Sequence, residues 1–511
     1  MARIIQAVQG GRLRALFATL EVNLKKRIVN QMYFAADQID ETLPTSVPII
    51  MSSGQVQTST IDGAINTINT AKDQFPFSCF RDVLATVVRV NLQDDTAEFA
   101  QMIFLQMVEE NPSSNFIFSP ASMYAAMTTV LAGTTRWSSA FQNLLEYNVL
   151  RTSSTHWIKC NYDTIINLFE SQKSLKHGNK LWVQNEVDIK PSFRKTILSS
   201  EVSNLDFHDP ENSVNQINEW VASVTEEKIL KIVEEVSEDT SIFLSNVVDF
   251  EENWLLYFDD FNGEVEDLEG LEVKLLKGAF DTPQGVKQVR MIQQVNSNAT
   301  YGEIKIFGNR PCPRGKYCRP DVQVVSLPYR NKRFELQIII PKNLAWLELK
   351  MNSSDKRDLS RRSEGFFNLF MESKNETYAN KRQELPKNIH IRLPKFQVRS
   401  DLDMVESMKK LGVTNIFESG AEFGELGDGP LHMSRMSHTA QMVMSKCGPN
   451  WPVPCCEENT RCVDPDQPFV PFDTSSSQRL SIDVDRPFIF VVWDKKEGIP
   501  VLVGRIMDPT I

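Results

Sequence analysis

The chain of 511 residues carries 55 Lys+Arg against 66 Asp+Glu, a formal net charge of −11, with 41 % hydrophobic and 24 % charged residues. This balance belongs to a globular protein and excludes collagen-like and disordered classes. Excess acid argues against a general binder of nucleic acid or anionic membrane, whose phosphates need a positive surface, and no apolar run reaches the ~20 residues of a membrane helix.

Length alone predicts about three domains of ~150 residues, but the charge divides the chain differently. Residues 1–93 hold nine basic and seven acidic residues, whereas 94–511 hold 46 basic and 59 acidic. Residues 3–20 combine Arg3, Arg12 and Arg14 with Ile4, Ile5, Val8, Leu13, Leu16, Phe17 and Leu20, and contain no acid. That pattern fits an amphipathic targeting helix, or an exposed helix on an extension. No secretory signal is visible, because no uninterrupted apolar core follows the early charges. Residues 43–73 are rich in Ser, Thr, Pro, Asn and Gln and read as a linker.

From about residue 94 a packed domain begins. Phe99, Met102, Ile103, Leu105 and Met107 predict a helix over 95–110. The apolar run 116–118 is broken by Ser119-Pro120, a cap with proline in the first turn of the next helix. That helix, with the run MYAAMTTVL, is apolar nearly all round and is expected to be deeply buried. Residues 213–233 predict an amphipathic helix followed by a turn. Strand-like runs follow at 241–250, 322–329, 334–341, 390–398, 440–444, 487–494 and 500–507. Several are apolar on both faces, as in central strands of large sheets. Helices first and strands later make the class α+β.

The order and spacing of these segments over 94–511 resemble the serpin family. The start of the central helix, Asn115-Phe-Ile-Phe-Ser119-Pro120-Ala-Ser122, is similar to the family's NvffSPlS. Gly178-Asn179-Lys-Leu-Trp182, Ile217-Asn218-Glu-Trp220-Val221 and Leu244-Ser-Asn246-Val-Val-Asp-Phe250 with Trp254 and Phe258 resemble three further motifs, the last being LvNaiyFkg-W…F. Leu327-Pro328-Tyr329, Leu393-Pro394-Lys395-Phe396, Arg486-Pro487-Phe488 and Gly504-Arg505 complete the series. The resemblance implies a fold of three β-sheets with about nine helices and an exposed reactive loop. It also implies a buried cluster that holds the main sheet closed, matched by Ser119, Ser122, Asn246 and His438, with Trp254 plugging the top of that sheet. Such hydroxyl, amide and imidazole groups must satisfy one another when buried.

Family inhibitors offer a bait loop that inserts after cleavage as a new central strand. The hinge that must enter, counted from His438, runs from Ser445 through Lys446, Cys447, Gly448, Pro449, Asn450, Trp451, Pro452, Val453 and Pro454 to Cys455 and Cys456. Only Gly448 keeps the family residue. Lys446 replaces a Glu whose family partner matches Lys395, so two like charges would face each other. Pro449, Pro452 and Pro454 lack the ladder donor that a central strand requires. At roughly 3 kcal/mol per misplaced proline, by analogy with helices, three strongly oppose insertion.

Cys447, Cys455, Cys456 and Cys462 lie in this loop with spacing C-x7-C-C-x5-C, which is not that of a zinc ribbon or finger. Disulfides fit better, in any of three connectivities, the adjacent pair being the least favoured geometrically. Cys312 and Cys318 read as a second short disulfide loop, and Cys79 and Cys160 as buried free thiols. This usage, with the sites Asn298, Asn352 and Asn375 for N-glycosylation, points to an extracellular or secretory compartment. Counting from Gly448 by the family spacing places the scissile bond after Cys462; counting back from Pro487 places it near Ser476. Arg461 is the most bait-like residue for a trypsin-like pocket.

No G-x-S-x-G, H-E-x-x-H, Walker loop or G-x-G-x-x-G in a strand–helix context is present, so no enzymatic activity and no cofactor are expected. Two functions remain: regulation of extracellular serine proteases, and a serpin fold used without trapping as a binding, carrier or interaction protein. A disulfide-stapled loop that blocks a protease reversibly combines them, since a pre-ordered loop loses less entropy on docking. A monomer is expected, with a serine protease as partner and without nucleic acid or a membrane span.

Overall fold

The computed structural model describes residues 46–50, 56–60, 77–146, 155–197, 202–256, 258–260, 265–268, 271–274, 277–296, 298–304, 321–352, 388–445 and 479–510. The chain forms two compact units, residues 1–93 with 152–161, and 94–151 with 162–511. In the first, β1 (Ser46–Ile50) and β2 (Val56–Thr60) pair antiparallel, with Ser46 opposite Thr60 and Ile50 opposite Val56. These strands fall inside the stretch read as a linker. Their β-branched residues (Val47, Ile49, Ile50, Val56, Thr58 and Thr60) favour extended pairing over coil.

The helix expected over 95–110 is longer: α1 spans Phe77–Glu110. β3 (Phe116–Phe118) follows, then α2 (Pro120–Gly133), α3 (Ser139–Glu146) and α4 (Thr155–Glu170). Ser119 caps α2, its Oγ accepting from the Ser122 amide, and Pro120 takes the first helical position, where no donor is lost. Every α2 residue except Ala132 is buried. The helix therefore satisfies its own hydroxyls: Thr128 donates to the Tyr124 carbonyl (2.8 Å) and Thr129 to that of Ala125 (3.2 Å).

Three larger sheets make up the rest of the described fold, and strands of two of them pack on this helix. Most strands of the main sheet come from β4 (Leu175–Gln184), β5 (Val202–Leu205) and β6 (Ile242–Phe250). Between them lie α5 (Pro191–Thr196) and α6 (Pro210–Val224). β7 (Asp259–Asp260), a hairpin of β8 (Val265–Leu268) and β9 (Leu271–Lys274), and β10 (Lys277–Thr282) and β11 (Gly285–Asn296) come next. β12 (Thr300–Ile304), β13 (Val322–Pro328), β14 (Phe334–Pro341) and α7 (Leu344–Asn352) precede β15 (Asn388–Pro394), β16 (Phe396–Asp403) and α8 (Val405–Lys410). The last strands are β17 (Met433–Met444), β18 (Arg479–Asp483), β19 (Phe488–Asp494) and β20 (Ile499–Ile506).

The main sheet runs β16-β17-β6-β4-β5, the second β12-β13-β14-β19-β20-β3, and the third β10-β11-β15-β18 with β7 beside β11. α2 packs against β20, β6 and β4. β14, β19 and β20 are buried at every position, which explains their two-sided apolar sequences. Gly504 on β20 has no room for a side chain, because a Cβ there would sit 2.3 Å from the Phe490 ring and 2.9 Å from the Phe116 carbonyl.

α6 covers the other face of the main sheet. Asp209 caps it and Pro210 opens it. Trp182, Phe243 and Ile217 share one apolar cluster under it, and Val221, Ile229 and Val247 another. A Cβ at Gly178 would stand 2.8 Å from Trp220, so this glycine lets helix and strand approach. The expected helix over 213–233 stops at Val224. Glu226 and Glu227 take left-handed φ values of 51° and 63°, and Thr225 accepts the Ile229 amide at 3.1 Å, turning the chain away.

Candidate functional site

The main sheet contains one seam of special geometry. β17 pairs parallel with β6, from Met433 opposite Ile242 to Met442 opposite Phe250, while β16–β17 and β4–β6 are antiparallel. An antiparallel strand placed between β6 and β17 would turn one parallel contact into two antiparallel ones, which are slightly more stable per residue.

Ser119, Ser122, Asn246 and His438 come together beneath this seam. The Ser119 amide donates to His438 Nε2 at 3.0 Å, and Ser119 Oγ donates to the Val501 carbonyl at 2.6 Å. A backbone N–H can only donate, so Nε2 is the acceptor and the imidazole proton sits on Nδ1. Nδ1 then donates to Asn246 Oδ1 at 2.6 Å. Asn246 Nδ2 donates to Ser122 Oγ at 2.7 Å. Each of the four is no more than 2 % exposed, and Asn246 and His438 are direct neighbours across the seam. The cluster thus ties β17, β6, the cap of α2 and β20 into one network.

Sequence reasoning missed His177. It lies on β4 opposite Val248, stacks on Phe169 at 4.1 Å, and has a buried Nε2 without a partner. Its own motif offered no signal, because its meaning comes from a neighbour on α4. Burial holds both imidazoles down to a pKa of about 3, His438 also feeling His177. Both are therefore neutral when folded and titrate near 6.5 when unfolded. Their contribution is intact above pH 6.5 and is lost as pH falls from there toward 3. Urea midpoints measured from pH 7.5 to 4.5 are expected to drop less for His177→Leu than for the parent. An identical pH slope in the two proteins would remove His177 from the effect.

At the upper end of the seam Trp254, 3 % exposed, donates from Nε1 to the Ser445 carbonyl at 3.0 Å and stacks on Tyr329 at 4.3 Å. Lys395 is half-buried, its amide donating to the Arg290 carbonyl. Lys446, the hinge residues Gly448, Pro449, Pro452 and Pro454, the candidate bait Arg461, and Cys447, Cys455, Cys456 and Cys462 lie outside the described residues. So do Cys312, Cys318 and Asn375; Asn298 is exposed, and Asn352 ends α7. Among the described residues no group of His, Cys, Asp and Glu is arranged to hold a metal, and no helix is long and apolar enough to cross a membrane.

Residues 94–509 match the family model described as Serpin (serine protease inhibitor). The chain belongs to the serpin family. Alpha-1-antitrypsin 1-2 of Mus musculus is 23 % identical over 453 residues, covering 87 % of this chain and 92 % of that protein. An uncharacterized serpin-like protein of Methanosarcina mazei is 24 % identical over 425 residues, covering 80 % and 86 %. Among solved structures, native protease nexin-1 with heparin gives a TM-score of 0.62 at 21 % identity, covering 82 % of this serpin and all of that chain. Human thyroxine-binding globulin complexed with thyroxine gives 0.61 at 19 %, covering 83 % and 99 %. The fold of this serpin is thus shared with protease nexin-1 and with a thyroxine-binding globulin.

Proposed function

We propose that this serpin regulates an extracellular serine protease by presenting residues 446–478 as a reversible blocking loop, without trapping the enzyme by strand insertion, and itself catalyses no reaction. The observation that carries this reading is the trio Pro449, Pro452 and Pro454 just beyond β17. An inserted strand between β6 and β17 needs N–H donors along both edges, and proline has none. Lys446 stands in the sequence where the family resemblance implies a Glu, so it would meet Lys395 as a like charge rather than as an ion-pair partner. Cysteines 447, 455, 456 and 462 would staple the loop in an oxidising compartment and lower its entropy loss on docking. The polar cluster under the seam would then keep the sheet closed rather than gate its opening.

A second reading, a carrier or interaction protein that contacts no protease, is favoured by the same prolines and by the likeness to thyroxine-binding globulin. The two separate on a denaturing gel and an activity assay. With trypsin-like and chymotrypsin-like proteases the expected result is reversible inhibition, no SDS-stable complex, and a melting temperature little changed after the loop is nicked. A covalent complex, or a large rise in melting temperature on nicking, would overturn the loop argument. Absence of any inhibition would select the carrier.

A further inference from the structure

The seam between β6 and β17 is bonded on both of its faces. Side chains alternate along a strand, so residues three apart point to opposite sides. Asn246 and His438 face α2; three positions on, Asp249 and Gln441 face the side of α6. They too are direct neighbours in the register, and Gln441 Nε2 donates to Asp249 Oδ1 at 2.8 Å. Asp249 is 2 % exposed and Gln441 8 %.

A carboxylate is an unusual occupant of this place. In the motif LvNaiyF that this strand resembles, the position of Asp249 holds an aromatic residue. Its second oxygen, Oδ2, is buried without a partner. The charged groups around it are largely engaged elsewhere. Lys176, opposite Asp249 on β4, pairs with Glu226 in the turn after α6, and Lys228 of that turn pairs with Glu251. A buried carboxylate with one direct hydrogen bond and an idle oxygen is poorly compensated. Separating the strands would return it to water.

We propose that Asp249 and Gln441 form a second, proton-operated contact across the β6–β17 seam, which loosens the sheet when Asp249 is ionised and tightens it when Asp249 is neutral. In keeping with this, burial raises the Asp249 pKa, against the opposing pull of Gln441, Lys228 and Lys176, while Glu226 pushes it further up. A raised folded-state value means that the closed sheet gains stability as pH falls toward the ordinary carboxylate range. This is opposite in sign to the two histidines on the inner face, and the outer pair depends on the closed seam alone, whatever residues 446–478 do.

The test is amide hydrogen exchange in the full chain, comparing β6 and β17 with β19 and β20 as an internal reference. At pH 7, Asp249→Asn keeps the hydrogen bond and removes the charge; seam exchange is expected to slow about tenfold. Gln441→Val removes the bond and leaves the charge; seam exchange is expected to quicken about tenfold. After correction by the reference strands, the Asp249→Asn ratio is expected to shrink toward one as pH is lowered to about 4. Seam exchange in Asp249→Asn at or above the parental rate at pH 7 would overturn the proposal. A ratio independent of pH, or equal changes in both sheets, would overturn it too.

Discussion

Asn246→Ala is expected to lower stability by about 3 kcal/mol and to make the β6–β17 seam the first part of the fold to open. The alanine removes the acceptor of the His438 Nδ1 proton and the donor to Ser122 Oγ together. Both partners stay buried, and each stranded polar group costs about 1–3 kcal/mol. The loss is therefore larger than that of one ordinary hydrogen bond. It is also directional, because the cluster joins β6 to β17 while its other members anchor to α2 and β20. Urea unfolding gives the magnitude, and amide exchange resolved by strand gives the location. A loss below about 1 kcal/mol would show that His438 and Ser122 find other partners, and the network would not be the element holding the seam.

Arg505→Met is expected to have the other large effect, about 3–5 kcal/mol, typical of breaking a buried ion pair from one side. The Arg505 side chain is wholly buried on β20. It pairs with Glu348 of α7 at 2.9 Å, donates to the carbonyls of Asn111 and Ser114, and lies over the Phe116 ring at 4.7 Å. Burial raises the Glu348 pKa, with Arg505 opposing that shift. Without the guanidinium, Glu348 has to take up a proton on folding, so the penalty is expected to grow with pH between 5 and 8. The double variant Arg505→Met with Glu348→Leu is expected to regain part of the stability, since an apolar pair of similar volume is often tolerated. A double variant as unstable as the single one would mean that the stranded carbonyls, not the carboxylate, dominate.

Much of the architecture was legible in the sequence. The Ser119-Pro120 cap, the all-apolar α2 and the two-sided apolar runs of β14, β19 and β20 each carry a local signal that survives folding, because burial on every side leaves no polar face to mislead. The four polar residues of the inner cluster were found only as a set matching a family pattern; no one of them differs by itself from an ordinary cap or core residue. Helix ends were less readable. The 3.6-residue pattern of α6 continues past Val224, but the chain turns at Glu226 and Glu227 because Ile229 is bonded to Thr225 and packs with Val221 and Val247. A turn that is closed by tertiary packing has no strong local code.

The sequence by itself determined the family and the α+β class. Composition and periodicity also told which strand faces are buried. Only the tertiary structure decided which polar groups meet. His438 and Asn246, like Gln441 and Asp249, are 192 residues apart, and their contact exists only through the register of β17 on β6. A shift of one residue would turn each pair to the wrong face. The same holds for His177, whose neutrality follows from Phe169 and the closed sheet rather than from its neighbours in the chain. The parallel seam, bonded on both faces, is what any inserted strand would have to open.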